Sequence, residues 1–112
     1  MPVVELTTTG RKSGRPHTVL LTSPVREGDA IVLVASRGGA DHHPAWFLNL
    51  RANPDVEAKV GNESRRKMLA RVAEPDERAR LWPQVVAKYK GYRDYQAKTQ
   101  REIPLVLLEP VS

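Results

Sequence analysis

The longest apolar run in this chain, Ala30-Ile-Val-Leu-Val-Ala35, is six residues long and has turn signals on both sides. Arg26-Glu-Gly-Asp29 precedes it and Ser36-Arg-Gly-Gly39 follows. A run of this length between turns fits a strand buried on both faces. A membrane-crossing helix needs about 20 apolar residues, so nothing here is expected to span a bilayer. A chain whose most hydrophobic piece is a short strand must build its core from several such pieces. Its 112 residues suffice for one modest core, and a single domain over 1–112 is expected.

The neighbouring segments repeat the theme. Val3 to Thr8 is short, β-branched and closed by Gly10. His17 to Val25 is again β-rich, and Gly28 in the following turn suits a hairpin. These three segments read as an antiparallel meander. Pro44 stands where a first helical turn tolerates it, and Ala45 to Ala52 carries a helix with Trp46, Phe47 and Leu50 as buried candidates. Asn53-Pro54 stops it. Val56, Ala58 and Val60 then alternate with Asp55, Glu57 and Lys59, and Gly61-Asn62 turns the chain. Arg66 to Ala73 alternates again, with Met68, Ala70 and Val72 on one side.

A helix is predicted from Pro75 to about Lys90, with acidic residues in its first turn where the dipole favours them. Leu81, Val85 and Tyr89 share a face, and Pro83 is expected to kink or restart it. Gly91 breaks the pattern before a short polar segment, Tyr92 to Lys98. Ile103 to Leu108 is the last strand, with Pro104 marking an edge or entry position. The order βββ-α-ββ-α-β describes a mainly β, α+β chain. About six antiparallel strands with two or more helices suggest a small barrel capped by helices.

Cysteine is absent, which excludes disulfides and thiolate chemistry and suits a reducing compartment. The 18 Lys and Arg against 13 Asp and Glu favour a polyanionic partner: nucleic acid, an acidic membrane surface or a phosphorylated cofactor. No basic segment followed by an apolar stretch marks a leader peptide. The chain begins almost directly on a strand, as a piece of a longer protein would.

Four constellations could carry chemistry. In Thr7-Thr-Thr-Gly-Arg-Lys-Ser-Gly-Arg-Pro-His17, glycines bracket Arg11, Lys12 and Ser13. Backbone N–H groups and cations there could hold an oxyanion; a solvated basic turn is the plainer alternative. Ala35-Ser-Arg-Gly-Gly39 ends the most buried strand with small residues that let a flat ligand approach, or forms an ordinary loop. In His43-Pro-Ala-Trp46, a metal is not expected, because His42 and His43 are adjacent and the third histidine is distant at 17. Tyr89, Tyr92 and Tyr95 recur every three residues, as one wall of a pocket or as helix-end packing. No G-x-S-x-G nucleophile pattern appears.

Thr7 to Gly14, Val34 to Gly39, His43 to Leu50, Asn53-Pro54 and Thr99-Gln-Arg-Glu-Ile-Pro104 occur in order. Together they resemble the deazaflavin (coenzyme F420)-dependent nitroreductase and quinone reductase family of actinobacteria. The resemblance runs from Leu6 to Pro110. It implies a split β-barrel related to flavin reductases, with coenzyme F420 as cofactor. It also implies hydride transfer to quinones, nitroaromatics or similar acceptors. By motif, Arg11, Lys12, Ser13, Gly14 and Arg15 would hold the phosphate and acidic tail of the cofactor. Ala35, Ser36, Arg37 and Gly38 would line the deazaflavin, flanked by Pro44 and Trp46. Tyr89, Tyr92 and Tyr95 would face the acceptor, with Tyr92 as the first choice for orienting it.

Some members of that family carry an amphipathic N-terminal extension linked to membranes. Here the sequence starts at Met1-Pro-Val-Val, which supports no anchor. A cytoplasmic location is expected, with peripheral contact at the inner membrane face left open, as monomer or homodimer. A flavin mononucleotide reductase of the same fold and a non-catalytic cofactor-binding protein are the alternatives. A nucleic-acid-binding barrel is disfavoured, since aromatics are only 5% of residues. No nucleic-acid partner is expected.

Overall fold

The computed structural model describes residues 1–111. These contain seven strands: β1 (Val3–Thr9), β2 (Pro16–Thr22), β3 (Val25–Glu27), β4 (Ala30–Val34), β5 (Asp55–Val60), β6 (Arg66–Val72) and β7 (Leu105–Pro110). Three helices accompany them: α1 (Ala45–Ala52), α2 (Pro75–Lys88) and α3 (Gly91–Ala97). A 3-10 turn, Arg37–Gly39, follows β4. All seven strands join one antiparallel sheet in the order β2-β1-β5-β6-β7-β4-β3.

The count is seven because the segment expected as one strand, His17 to Val25, breaks at Ser23-Pro24. Pro24 has no N–H for a ladder. The buried Ser23 hydroxyl supplies a donor instead, to the carbonyls of Val25 at 3.0 Å and Val32 at 2.8 Å. The first half then pairs with β1 and the second with β4, so the three segments are two hairpins rather than a meander. The two edge strands of the sheet are thus consecutive in the chain. Three Cα steps span at most about 11 Å, so both edges must approach one another and the sheet curls into a half-barrel.

Two apolar clusters hold this shape. The inner one gathers Val4, Leu6, Leu33, Met68 and Leu108 with Phe47 and Leu50 of α1. The outer one packs Leu81 and Val85 of α2 and Tyr92 of α3 against Val32, Leu105 and Leu107. Strands β4 and β7 contribute to both, Ile31 and Leu33 facing inward and Val32 outward. The continuous apolar run from Ala30 therefore lies between two hydrophobic layers, as its lack of alternation requires.

Several details correct or narrow the sequence reading. Helix α2 runs through Pro83 without restarting. The carbonyl freed by the proline belongs to Ala79, which is exposed and can bond water, while Leu81 and Val85 anchor the same turns in the core. Tyr89 leaves the Leu81–Val85 face: it ends the helix with extended backbone (φ −152°, ψ 110°) and is 45% exposed. Pro104 marks entry to a central strand, not an edge, and its carbonyl accepts the Ala35 N–H at 3.0 Å. Val72 is also exposed, whereas Met68 and Ala70 point inward as expected.

The segment expected as short and polar is helix α3, which carries Tyr92 and Tyr95. No helix among the described residues is long and apolar enough to cross a membrane.

Candidate functional site

The hairpin connecting β1 to β2 is a tight turn. Gly10 N–H donates to the Arg15 carbonyl at 2.8 Å, and Gly14 N–H donates to the Gly10 carbonyl at 2.9 Å. Ser13 Oγ accepts the Arg15 N–H at 3.1 Å and lies 3.3 Å from His17 Nε2. Helix α1 braces this turn through Asn49, which is buried. Asn49 Oδ1 accepts both the Arg11 N–H at 3.2 Å and the Arg11 guanidinium at 2.9 Å. Its amide in turn donates to Thr8 Oγ1 at 3.3 Å. Arg11 is thereby drawn toward α1, while Lys12 and Arg15 stand in solvent.

Among the described residues, no carboxylate lies within 4.0 Å of Arg11, Lys12, Arg15 or Arg37. Elsewhere five arginines do pair with carboxylates: Arg26, Arg65, Arg71, Arg78 and Arg80. Cations left unpaired on one turn are a ready receptor for an anion.

Two cavities flank Trp46. One, of about 440 Å³, is lined by Arg11, Lys12, Ser13, His17 and Asn49. The other, of about 640 Å³, is lined by Ser36, Arg37, Gly38 and Pro44, and by the three tyrosines. Trp46, half-buried on α1, borders both. Partly buried and packed against the inner cluster, it also stands as a partition between the two cavities. Gly14 and Arg15 share the basic turn but line neither cavity, and Ala35 is buried beneath the second.

The tyrosines meet edge to face, with ring centroids 5.3 Å (Tyr89–Tyr92), 6.2 Å (Tyr89–Tyr95) and 6.1 Å (Tyr92–Tyr95) apart. Tyr92 is buried, and that burial raises its phenol pKa despite a hydrogen bond with Thr22. The Tyr89 and Tyr95 hydroxyls lie 3.4 Å apart, a contact that raises the Tyr89 pKa. Gly91 permits the cluster: a Cβ there would come within 2.3 Å of the Tyr89 ring.

The loop after β4 is tied to this wall. Gly39 has φ +86°, and a Cβ on it would sit 2.7 Å from the Tyr95 carbonyl oxygen. Only glycine suits that backbone and that approach. Arg101, from the segment before β7, holds the loop from below. Its guanidinium donates to the carbonyls of Ala40 (2.8 Å), Ala35 (3.2 Å) and Ser36 (2.8 Å), and to His43 Nδ1 (3.0 Å). Since arginine only donates, His43 accepts through Nδ1 and in its neutral form carries its proton on Nε2. Burial first, then Arg101 and Arg51, lower the His43 pKa.

Sequence reasoning did not single out Asn49 or Arg101. A polar residue between Phe47 and Leu50 on a buried helical face was the signal for the first. Arg101 gave no comparable signal, because its partners lie more than 55 residues away in sequence. Among the described residues, no three His, Cys, Asp or Glu side chains are grouped to hold a metal ion.

Known proteins resemble this chain in both sequence and fold. The family model described as F420H(2)-dependent quinone reductase matches residues 1–110. An F420H(2)-dependent quinone reductase of Mycobacterium tuberculosis is 44% identical over 111 residues, covering 96% of this chain and 72% of the relative. The solved structure of an F420-H2 dependent reductase (FDR-A) superposes with a TM-score of 0.85 at 39% identity, over 96% of this chain and 94% of that one. A domain-swapped dimer gives the same TM-score and identity, over 96% of this chain and 80% of that one. The chain belongs to the F420H(2)-dependent quinone reductase family.

Proposed function

We propose that the two cavities beside Trp46 form one elongated cofactor cleft within a single unit spanning 1–112. In this reading the chain passes a hydride from reduced coenzyme F420 to a quinone, a nitroaromatic or a similar acceptor. One observation carries the reading: unpaired cations at one end, an aromatic wall at the other, and Trp46 shared between them. A cofactor with an anionic tail and a flat ring system has that same polarity.

The bound deazaflavin supplies the hydride; the protein supplies position and electrostatics. Arg11, Lys12 and Ser13, with Gly14 and Arg15 on the same turn, hold the phosphate and acidic tail. Ser36, Arg37 and Gly38, with Ala35 beneath them, border the ring system, and Pro44 and Trp46 flank it. Tyr89, Tyr92 and Tyr95 face the acceptor. The raised pKa of Tyr92 keeps its hydroxyl protonated, so it can donate a hydrogen bond to an acceptor oxygen as negative charge develops there.

The test is a titration of the purified chain with oxidised F420 and, separately, with flavin mononucleotide, each at low and moderate salt. Tight, salt-sensitive F420 binding supports the reading. Binding of flavin mononucleotide alone would replace the cofactor while keeping the fold. Binding of F420 without acceptor-dependent oxidation of its reduced form would leave a carrier rather than an enzyme.

A further inference from the structure

Arg101 lines neither cavity of the proposed cleft, yet it binds the loop that borders one of them more heavily than any other side chain does. That loop has three successive left-handed residues: Arg37 at φ 46°, Gly38 at 63° and Gly39 at 86°. For Arg37, which has a Cβ, the conformation is strained and persists only when surroundings impose it. Local hydrogen bonds are sparse, consisting of Gly39 N–H to the Ser36 carbonyl at 2.9 Å and Ala40 N–H to the Arg37 carbonyl at 3.2 Å.

The guanidinium fork spans the loop from both ends, taking Ala35 and Ser36 on one side and Ala40 on the other. Among the described residues no carboxylate lies within 4.0 Å of Arg101. Its bonding capacity goes to backbone carbonyls and one imidazole, where geometry rather than charge decides. A second tie runs alongside: Thr99 Oγ1 donates to Asp41 at 2.8 Å and accepts the Arg101 N–H at 3.3 Å. His43 carries the clamp into α1, because Pro44 caps that helix and Trp46 is its second residue.

We propose that Arg101 is a positioning residue for cofactor binding: it preorganises residues 35–40 so that Ser36, Arg37 and Gly38 stand at the cleft before any ligand arrives. The inference rests on the assignment of that cavity to the deazaflavin. Without the clamp, cofactor binding must order the loop itself, and apparent affinity falls by the fraction of molecules still ordered. Once bound, the loop is in place and turnover continues. Arg101 variants therefore raise the Kd and KM for F420 about tenfold, with kcat at saturating cofactor within about threefold of wild type.

The experiment compares wild type, Arg101→Lys and Arg101→Ala in three readouts. Amide hydrogen exchange on cofactor-free protein is expected to show faster exchange at Gly39 and Ala40 in both variants, with core amides of β4 and β7 unchanged. F420 titration and steady-state kinetics are expected to show the split between KM and kcat. Lysine, which keeps the charge but cannot span three carbonyls, is expected to remain defective. Low millimolar guanidinium is expected to restore affinity in Arg101→Ala.

Wild-type exchange rates at Gly39 and Ala40 together with unchanged KM would overturn the inference. So would a loss of kcat at constant KM, or failure of both variants to fold, either of which would make Arg101 a support of the fold alone. If wild type itself does not bind F420, the cofactor assignment fails, while the exchange measurement still judges the clamp.

Discussion

The two cavities beside Trp46 are built in opposite ways. The basic turn between β1 and β2 is local: its backbone bonds close within residues 10–15, and one distant side chain, Asn49, braces it. The tyrosine end is assembled from β2, the loop after β4, α3 and the segment holding Arg101, which no stretch of sequence contains together. The turn lies in solvent with its cations unpaired, whereas the loop is strained and clamped. In the proposed reading the first would take the anionic tail and would tolerate motion, because long cationic side chains find an anion from many directions. The second would take the ring and would not, because hydride transfer depends on placement to within fractions of an ångström.

The largest expected effect comes from stripping the local end. On the proposed assignment, Arg11→Ala with Lys12→Ala would remove two charge-assisted contacts of about 1.5–3 kcal/mol each. F420 affinity should fall about 100-fold or more, and its salt dependence should flatten. Titration at two ionic strengths measures both, and an unchanged Kd would remove the turn from the site.

The assembled end should fail through its backbone. Gly39→Ala forces a Cβ toward the Tyr95 carbonyl at a positive φ. It should cost about 1–3 kcal/mol, visible as a melting temperature lower by about 5–15 °C. Acceptor KM should rise with it, since the loop and α3 separate. A melting temperature equal to wild type would show that α3 yields easily and that the wall is less rigid than its contacts imply.

Asn49→Ala tests whether the local end is truly local. Losing the acceptor for Arg11 should weaken F420 binding about five- to tenfold, and the unpaired polar groups should cost about 1–3 kcal/mol of stability. Unaltered binding would mean that the turn needs no brace. Smaller again is Tyr92→Phe, which removes one hydroxyl and should lower kcat/KM for quinone or nitro acceptors about three- to tenfold. Full activity toward every acceptor tested would end the orienting role given to Tyr92.

The smallest effect lies outside both ends and serves as a control. Hydrogen bonds from Arg71 hold the Glu77 carboxyl at about 2 instead of 4.5. Its folded pKa is depressed, so its stabilising share is complete above pH 4.5 and is lost as pH falls toward 2. Thermal melts over that window should fall more steeply for wild type than for Glu77→Gln. Parallel curves would show that the pair adds nothing, as exposed ion pairs often do.

The basic turn was legible because every residue that makes it basic is contiguous, and the glycines that permit the turn are contiguous with them. Helix α1 was legible for the same reason, with its bounds as expected. The break at Ser23-Pro24 was not read from the sequence, since the consequence of that proline depends on which strands pair on either side. Tyr89 shows the limit from the other direction. Its spacing from Val85 fits a helical face, but Gly91 and the packing of α3 draw it out of that register.

The sequence by itself determined the antiparallel β character, the doubly buried strand β4 and the position of the cations, because these follow from periodicity, hydrophobicity and local turn chemistry. Tertiary structure alone decided that β2 and β3 would be opposite edges of one curled sheet. It also decided that Trp46 would stand between two cavities and that Arg101 would hold a loop more than 60 residues earlier in the chain. The physical reason is closure. Which side chains meet across a cleft depends on how the sheet curves and where its edges come together, and that is a property of all seven strands at once.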